Sequence, residues 1–346
     1  MDNNFENSEI LSSYKFAAMS DVIFCGVFLK SQVNDLNLMN NIKDYFTQSE
    51  YTFIRKDKFS LKENDVIFCK TEHIEELFYL LKKQCVFKNI KIISTQSDKK
   101  ITRRLYLKKP KCVSEWYSIN VNYSAQDLIP IPLGIANFHS KNLNLSEFES
   151  NNIVKKKTED KLKKLYVNFN ENTNYIERRN IFDIFENFNW AKVDRLTLSN
   201  HQYQINLSSY YFILAPWGNG IDTHRFWEAL YSGSIPITKK HIIYDSFDQI
   251  PKILVNSYKD ITYHDLQNYL QNNLKYKSIN EIEQLKASYW EKKIKNKVIE
   301  SNNIQIEILN NKKNYFYKKI QLKHNLKSKL KILNRIQRFT MKKLNF

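Results

Sequence analysis

The chain has 346 residues, 42% of them hydrophobic, which is more than one core usually serves and favours two domains. The formal net charge of +18 is uneven, because residues 312–346 hold 12 Lys or Arg and no acid, leaving +6 for the rest. No apolar run approaches the ~20 residues that span a bilayer, and the polar start Met1–Glu6 does not read as a signal peptide, so a cytoplasmic protein is expected.

In chain order, Asp21–Cys25, Asp65–Cys69 and Ile90–Ser94 are short apolar runs entered from polar turns, the pattern of buried parallel strands. His73–Lys83 between the second and third places Ile74, Leu77, Leu80 and Leu81 on one helical face. A further strand is predicted near Leu128–Pro132. Phe138–Lys164 turns polar and reads as a linker. A second series follows: strand Leu165–Phe169, helix Glu177–Phe188 with Ile181, Ile184, Phe185 and Phe188 inward, strand Tyr210–Ala215, helix Thr223–Tyr231 and strand Ser234–Thr238. Alternating strands and helices predict an α/β fold with parallel sheets, in which ligands bind beyond the carboxyl ends of strands. The expected organisation is an N-terminal domain over 1–150, a second over 151–300 and a basic helical tail over 301–346. Cys25, Cys69, Cys85 and Cys112 form no CxxC pair and read as free thiols.

The segment after Ala215 carries the chemistry. Two of only five glycines, Gly218 and Gly220, flank Asn219, so this turn needs unusual backbone angles or close approach. Asp222 or Thr223 is placed to cap the following helix, whose N-terminus suits a phosphate. Arg225 and Glu228 share a face of that helix, with His224 beside them. Arg225 can grip a diphosphate through its fork, and Glu228 can accept the hydroxyls of a ribose. Arg near a helix start opposes the dipole unless an anion is present. The competing reading is a surface Arg225–Glu228 ion pair. Neither a Walker A nor a Rossmann glycine pattern is present.

The run Gly218-Asn219-Gly220-Ile221-Asp222-Thr223-His224-Arg225, continuing through Trp227-Glu228-Ala229-Leu230 and Gly233 to Ile235-Pro236-Ile237, resembles the donor-site motif of GT-B glycosyltransferases of the exostosin-like and ribitol-xylosyltransferase-like group. Phe68–Glu72, Ile92–Asp98, Trp116–Asn120 and Ile131–Ile135 follow the order of that group more loosely, so the resemblance covers roughly residues 60–260. The Ser97-Asp98 element departs from the fuller His-Asn-Ser-Asp form. The resemblance implies two Rossmann-like lobes around a cleft, a nucleotide-sugar donor (a UDP-sugar favoured) on the C-terminal lobe and a glycan or lipid-linked acceptor on the other. It further implies transfer without bound metal, in agreement with the lack of an Asp-x-Asp motif, and with leaving-group charge met by cationic side chains and a helix dipole. Inversion is the expected outcome, with retention as the alternative in which no acceptor-side base is needed.

Candidate roles follow from position. Asn168, Asn170, Thr173, Arg178 and Arg179 follow the first strand of the second series and are expected to face the donor, as is Trp217. A general base is sought at Asp98, then at Glu72, each just beyond a strand. Lys70, Thr71 and Ser97 are placed on the acceptor side. In the tail, Leu322, Leu326, Leu330, Leu333 and Ile336 recur at helical spacing among lysines, predicting a helix over 312–346 that lies on an anionic membrane, with nucleic-acid binding or packing on the body as alternatives. The function classes left are a glycosyltransferase, a catalytically inactive nucleotide-sugar scaffold and, least supported by the charge distribution, a nucleic-acid-binding protein.

Overall fold

The computed structural model describes residues 9–35, 45–48, 50–136, 161–195, 198–272, 282–296 and 304–310. The expected linker up to residue 160 and the tail 312–346 lie outside them. The fold is α/β. Its first sheet has the order β2-β3-β1-β5-β6-β7-β8. Here β1 is Val22–Leu29, β2 Tyr45–Gln48, β3 Tyr51–Arg55, β5 Val66–Lys70, β6 Ile90–Thr95, β7 Val113–Ser118 and β8 Leu128–Pro130, while β4, Lys58–Lys62, lies in a separate two-stranded sheet. From β1 to β8 the strands are parallel; β3 and β2 extend the other edge antiparallel. The apolar runs of β5 and β6 are buried almost throughout, which is why they read continuously hydrophobic rather than alternating.

The second sheet is wholly parallel, in the order β10-β9-β11-β12-β13: β9 Leu162–Val167, β10 Ala191–Val193, β11 Tyr210–Leu214, β12 Ile235–Lys239 and β13 Ile253–Val255. The chain leaves β9 for one edge and returns at β11 on the other side. The loops after β9 and β11 therefore diverge at a topological switch point, which opens a crevice at their carboxyl ends.

Two expectations are corrected. Glu177–Phe188 is not one helix: Tyr175–Arg178 and Ile181–Phe185 are separated at Asn180, which adopts left-handed φ 64°, and Phe188 is exposed. Residues 305–309, placed at the start of the helical tail, form strand β14 (Gln305–Leu309), which pairs antiparallel with β4. Of the two reasons expected for the turn glycines, close approach is the one found: Gly218 and Gly220 have no positive φ, whereas Gly134 and Gly233 do.

The chain also returns to the first sheet through the Ala287–Ile294 helix. Lys91, a buried cation inside the apolar run of β6, donates to the carbonyls of Ile294 (2.9 Å) and Asn296 (2.7 Å). A cation at a helix C-terminus meets unpaired carbonyls and the negative end of the dipole, and Glu115 pairs with it at 3.0 Å, so this lysine can be buried. Among the described residues no helix is long and apolar enough to cross a membrane.

Candidate functional site

A cleft of about 840 Å³ lies where the carboxyl ends of both sheets meet. Its second-sheet wall is the loop after β9 and the turn after β11. The turn is held through its carbonyls. Arg178 donates to Pro216 O (3.0 Å), Trp217 O (2.9 Å) and Asn170 O (2.8 Å), and Asn174 Nδ2 donates to Gly218 O (2.7 Å). A Cβ on Gly218 would lie 3.3 Å from Arg178 Nη2, and one on Gly220 would lie 2.8 Å from the amide of Asn120. The glycines thus serve close approach rather than unusual torsion.

Asn120, just beyond β7, ties the first sheet to this turn. Its Oδ1 accepts from the amides of Ile221 (2.8 Å) and Asp222 (3.0 Å), and its Nδ2 donates to Ser97 O (3.0 Å). It holds φ 53°, and Gln96 beyond β6 holds φ 58°. Two non-glycine residues in the left-handed region on one cleft wall are backbone outliers of the kind that cluster at functional sites. Sequence reading missed Asn120, since nothing local announces a hydrogen bond across a hundred residues. It also missed Tyr203, on the Asn200–Ser209 helix.

The His224–Tyr231 helix supplies the polar groups. Thr223 is its N-cap residue, but its side chain makes no capping bond, and Asp222 does not cap it either. Asp222 instead accepts from Leu133 N (2.9 Å) and from the indole of Trp227 (2.8 Å), joining turn, helix and first-sheet loop. Burial without a cation pushes its carboxyl up to about 7. His224 Nδ1 donates to Gly134 O (2.9 Å), which leaves Nε2 available on this cleft-lining ring. Gly134 holds φ +71°, and a Cβ there would strike Leu11 O at 2.1 Å, so only glycine fits.

Glu228 is buried and accepts from Tyr203 OH (2.9 Å) and Ala136 N (3.3 Å). It makes no ion pair with Arg225. The Arg225 guanidinium lies 5.0 Å over the Tyr203 ring, and its Nη1 is buried without a hydrogen-bond partner. The neighbouring Thr223 Oγ1 is unpartnered as well. Arg178 is buried among carbonyls, and its pKa falls to about 10, first through burial and next through repulsion from Arg225. Among the described residues neither guanidinium is ion-paired to a carboxylate. The cleft thus holds two like charges, neither of them in an ion pair.

On the first-sheet wall Lys70 and Glu72 pair at 3.0 Å, and Lys70 also donates to Gln96 O. Asp98 is exposed at the rim and Ser97 Oγ accepts from Lys99 N (3.0 Å). These four line the cleft, together with Asn170, Thr173, Asn219 and the residues above.

Four expected site residues do not. Thr71 is buried and donates to Thr95 O (3.1 Å), stitching β5 to β6. Arg179 points to solvent, because the helix ends at Arg178. Trp217 packs edge-on against His241 with ring centres 5.6 Å apart. Asn168 is buried and donates to Asp194 O (2.7 Å). Among the described residues no group of three or more His, Cys, Asp or Glu side chains is placed to hold a metal ion. The sequence matches no protein-family model and no curated protein.

Proposed function

We propose that the protein is a glycosyltransferase of GT-B-like, two-lobed architecture that takes a nucleotide-diphosphate sugar, a UDP-sugar in the first instance, in this cleft. The observation that carries the reading is the pair of guanidiniums, Arg178 and Arg225, facing the crevice of a parallel sheet without a carboxylate partner. Cations outside any ion pair, behind a rigid turn and beside a helix N-terminus, favour an anion of more than one charge. Arg225 then takes the diphosphate with its unpaired Nη1, Glu228 takes ribose hydroxyls, and the two arginines with the helix dipole stabilise the departing diphosphate. On the opposite wall Asp98 serves as the base that deprotonates the acceptor hydroxyl. Glu72 is the weaker candidate, because Lys70 already engages it. The acceptor is a glycan or a lipid-linked sugar, and the tail 312–346 holds the enzyme on an anionic membrane.

The test is a thermal-shift series with UDP, UMP, uridine, inorganic phosphate and a panel of UDP-sugars, followed by assay of donor turnover. A ligand that binds only the native state raises the melting temperature. UDP and a UDP-sugar are expected to raise it more than UMP, and uridine not at all. No shift with any nucleoside diphosphate sinks the reading. Binding without turnover of any donor would instead indicate an inactive nucleotide-sugar scaffold.

A further inference from the structure

The body of the protein is only mildly basic on average, yet residues 82–111 hold eleven Lys and Arg against a single acid, Asp98. The segment includes the crossovers from β5 to β6 and from β6 to β7. Both advance in the same direction along the sheet, and right-handed crossovers put them on one face. Glu75, on the Ile74–Gln84 helix, confirms the adjacency: it pairs with Lys99 (3.1 Å) and Lys108, both from the second crossover.

The acids within reach are already engaged. Glu75 has those two lysines, Asp127 has Lys109 (3.0 Å) and Tyr106, and Glu63 accepts from the backbone amides of Lys88 and Asn89. What remains is Lys82, Lys83, Lys88, Arg103, Arg104 and Lys111, all exposed and, among the described residues, in no ion pair. Between these cations project Val86, 73% exposed, and Leu107, 62% exposed. Lys99, next to Asp98 at the rim of the cleft, joins that rim to this face through its pair with Glu75.

From this face we infer that the first sheet carries its own docking surface for an anionic lipid bilayer, separate from the tail. Six unpaired cations supply the attraction, and each Lys or Arg near an anionic leaflet contributes about 1 kcal/mol. Val86 and Leu107 decide between lipid and nucleic acid. Exposed aliphatic side chains among lysines enter the boundary between headgroups and acyl chains, whereas a phosphate backbone has no use for them. Stacking on bases needs open aromatic faces, and the rings here are engaged: Tyr79 has Lys83 Nζ 4.6 Å from its centre, and Tyr106, bonded to Asp127, packs on Tyr123 with ring centres 5.2 Å apart. Because the face runs into the first-sheet rim, docking brings the Ser97–Asp98 wall of the cleft next to the lipid surface. The inference stands whether or not the cleft transfers a sugar.

The test is co-sedimentation of the full chain with phosphatidylcholine vesicles, with and without phosphatidylglycerol, at low and high salt. Three variants are compared with the parent: Arg103→Glu/Arg104→Glu/Lys111→Glu, Val86→Ser/Leu107→Ser, and a tail variant with Lys323, Lys327, Lys329 and Lys331 changed to Gln. All the changed positions on the face are exposed, and the melting temperature of each variant checks its folding. The charge reversal is expected to weaken partitioning on the order of hundredfold in the parent and in the tail variant alike. The serine pair is expected to weaken it by about tenfold without changing its salt dependence. Partitioning that survives the charge reversal in the tail-variant background overturns the inference. So does binding of duplex DNA that the same reversal abolishes while vesicle binding is absent throughout.

Discussion

Replacing Arg225 with alanine separates a ligand-binding cation from a structural one. In the free protein Arg225 has little to lose. It makes no ion pair, its Nη1 is unpartnered, and its favourable contact is with the Tyr203 ring, worth about 0.5–1 kcal/mol. Against that stands repulsion on Arg178, whose pKa falls to about 10. Holding Arg178 charged costs on the order of 3 kcal/mol at neutral pH, mostly from burial and partly from Arg225. Arg225→Ala relieves the second part. The free variant is therefore expected to be as stable as the parent within about 1 kcal/mol, and more stable if the repulsion exceeds the ring contact. With UDP the balance reverses. Charge-assisted hydrogen bonds of the fork contribute about 1.5–3 kcal/mol, so affinity is expected to fall roughly 10- to 150-fold. Arg225→Lys keeps the charge but not the fork and is expected to fall between. Urea unfolding gives the stability and titration calorimetry gives the affinity. A variant that unfolds more easily while binding UDP as tightly as the parent refutes the reasoning.

Other consequences can be read independently. The carboxyl of Asp222 is raised to about 7, above the ordinary value of 3.8, so its stabilising contribution is complete below pH 4 and lost as pH rises through 7. Asp222→Asn is expected to remove about 2–4 kcal/mol of the decline in stability between pH 5 and pH 8, seen as converging denaturation midpoints; an unchanged pH profile contradicts this assignment. Gly220→Ala is expected to displace the Asn120 amide and strip the Ile221 and Asp222 amides of their acceptor, at a cost of about 1–3 kcal/mol in stability and with loss of UDP binding. A melting temperature equal to the parent's would show that Asn120 has room to yield. Asp98→Asn is expected to lower kcat by at least about a hundredfold at unchanged affinity for UDP, measured by donor turnover; a fall of the same size for Glu72→Gln alone would move the base to Glu72.

Legibility in the sequence followed the range of the interactions. β1, β5 and β6 announce themselves because strands buried on both faces are unbroken apolar runs, and the Ile74–Gln84 helix because its apolar residues repeat at helical spacing. The break at Asn180 did not, since Ile181, Ile184 and Phe185 keep helical spacing after it and the charged residues Glu177–Arg179 before it carry no breaker. β14 alternates Ile306 and Ile308 with polar residues, a strand pattern, but its partner β4 lies far upstream in the chain, and the basic run that follows drew the reading toward helix. In the site, the local group from Gly218 to Glu228 was legible as a unit. Arg178 and Arg179 were expected to face the donor, either one as a phosphate contact, and of the two Arg178 lines the cleft. Its three bonds to turn carbonyls depend on how β9 and β11 lie side by side, which no local pattern reports.

The same spacing that places Arg225 and Glu228 on one helix face is the spacing of an ordinary surface ion pair, and the geometry distinguishes the two. In a surface pair each charge satisfies the other, and the surrounding backbone is indifferent. Here Glu228 is buried and satisfied by the Tyr203 hydroxyl and the Ala136 amide, while Arg225 is left with an unpartnered nitrogen. The backbone between them and the first sheet is far from indifferent. Arg178 and Asn174 hold the carbonyls of the turn, Asn120 holds the amides of Ile221 and Asp222, and the Asp222 carboxylate reaches Leu133. With the turn fixed from three sides, Arg225 stays outside any ion pair and keeps an unpartnered nitrogen, the group that the proposed diphosphate would take. Under the proposed transfer, fixed groups that need no rearrangement on binding would act on the charge that develops on the leaving diphosphate.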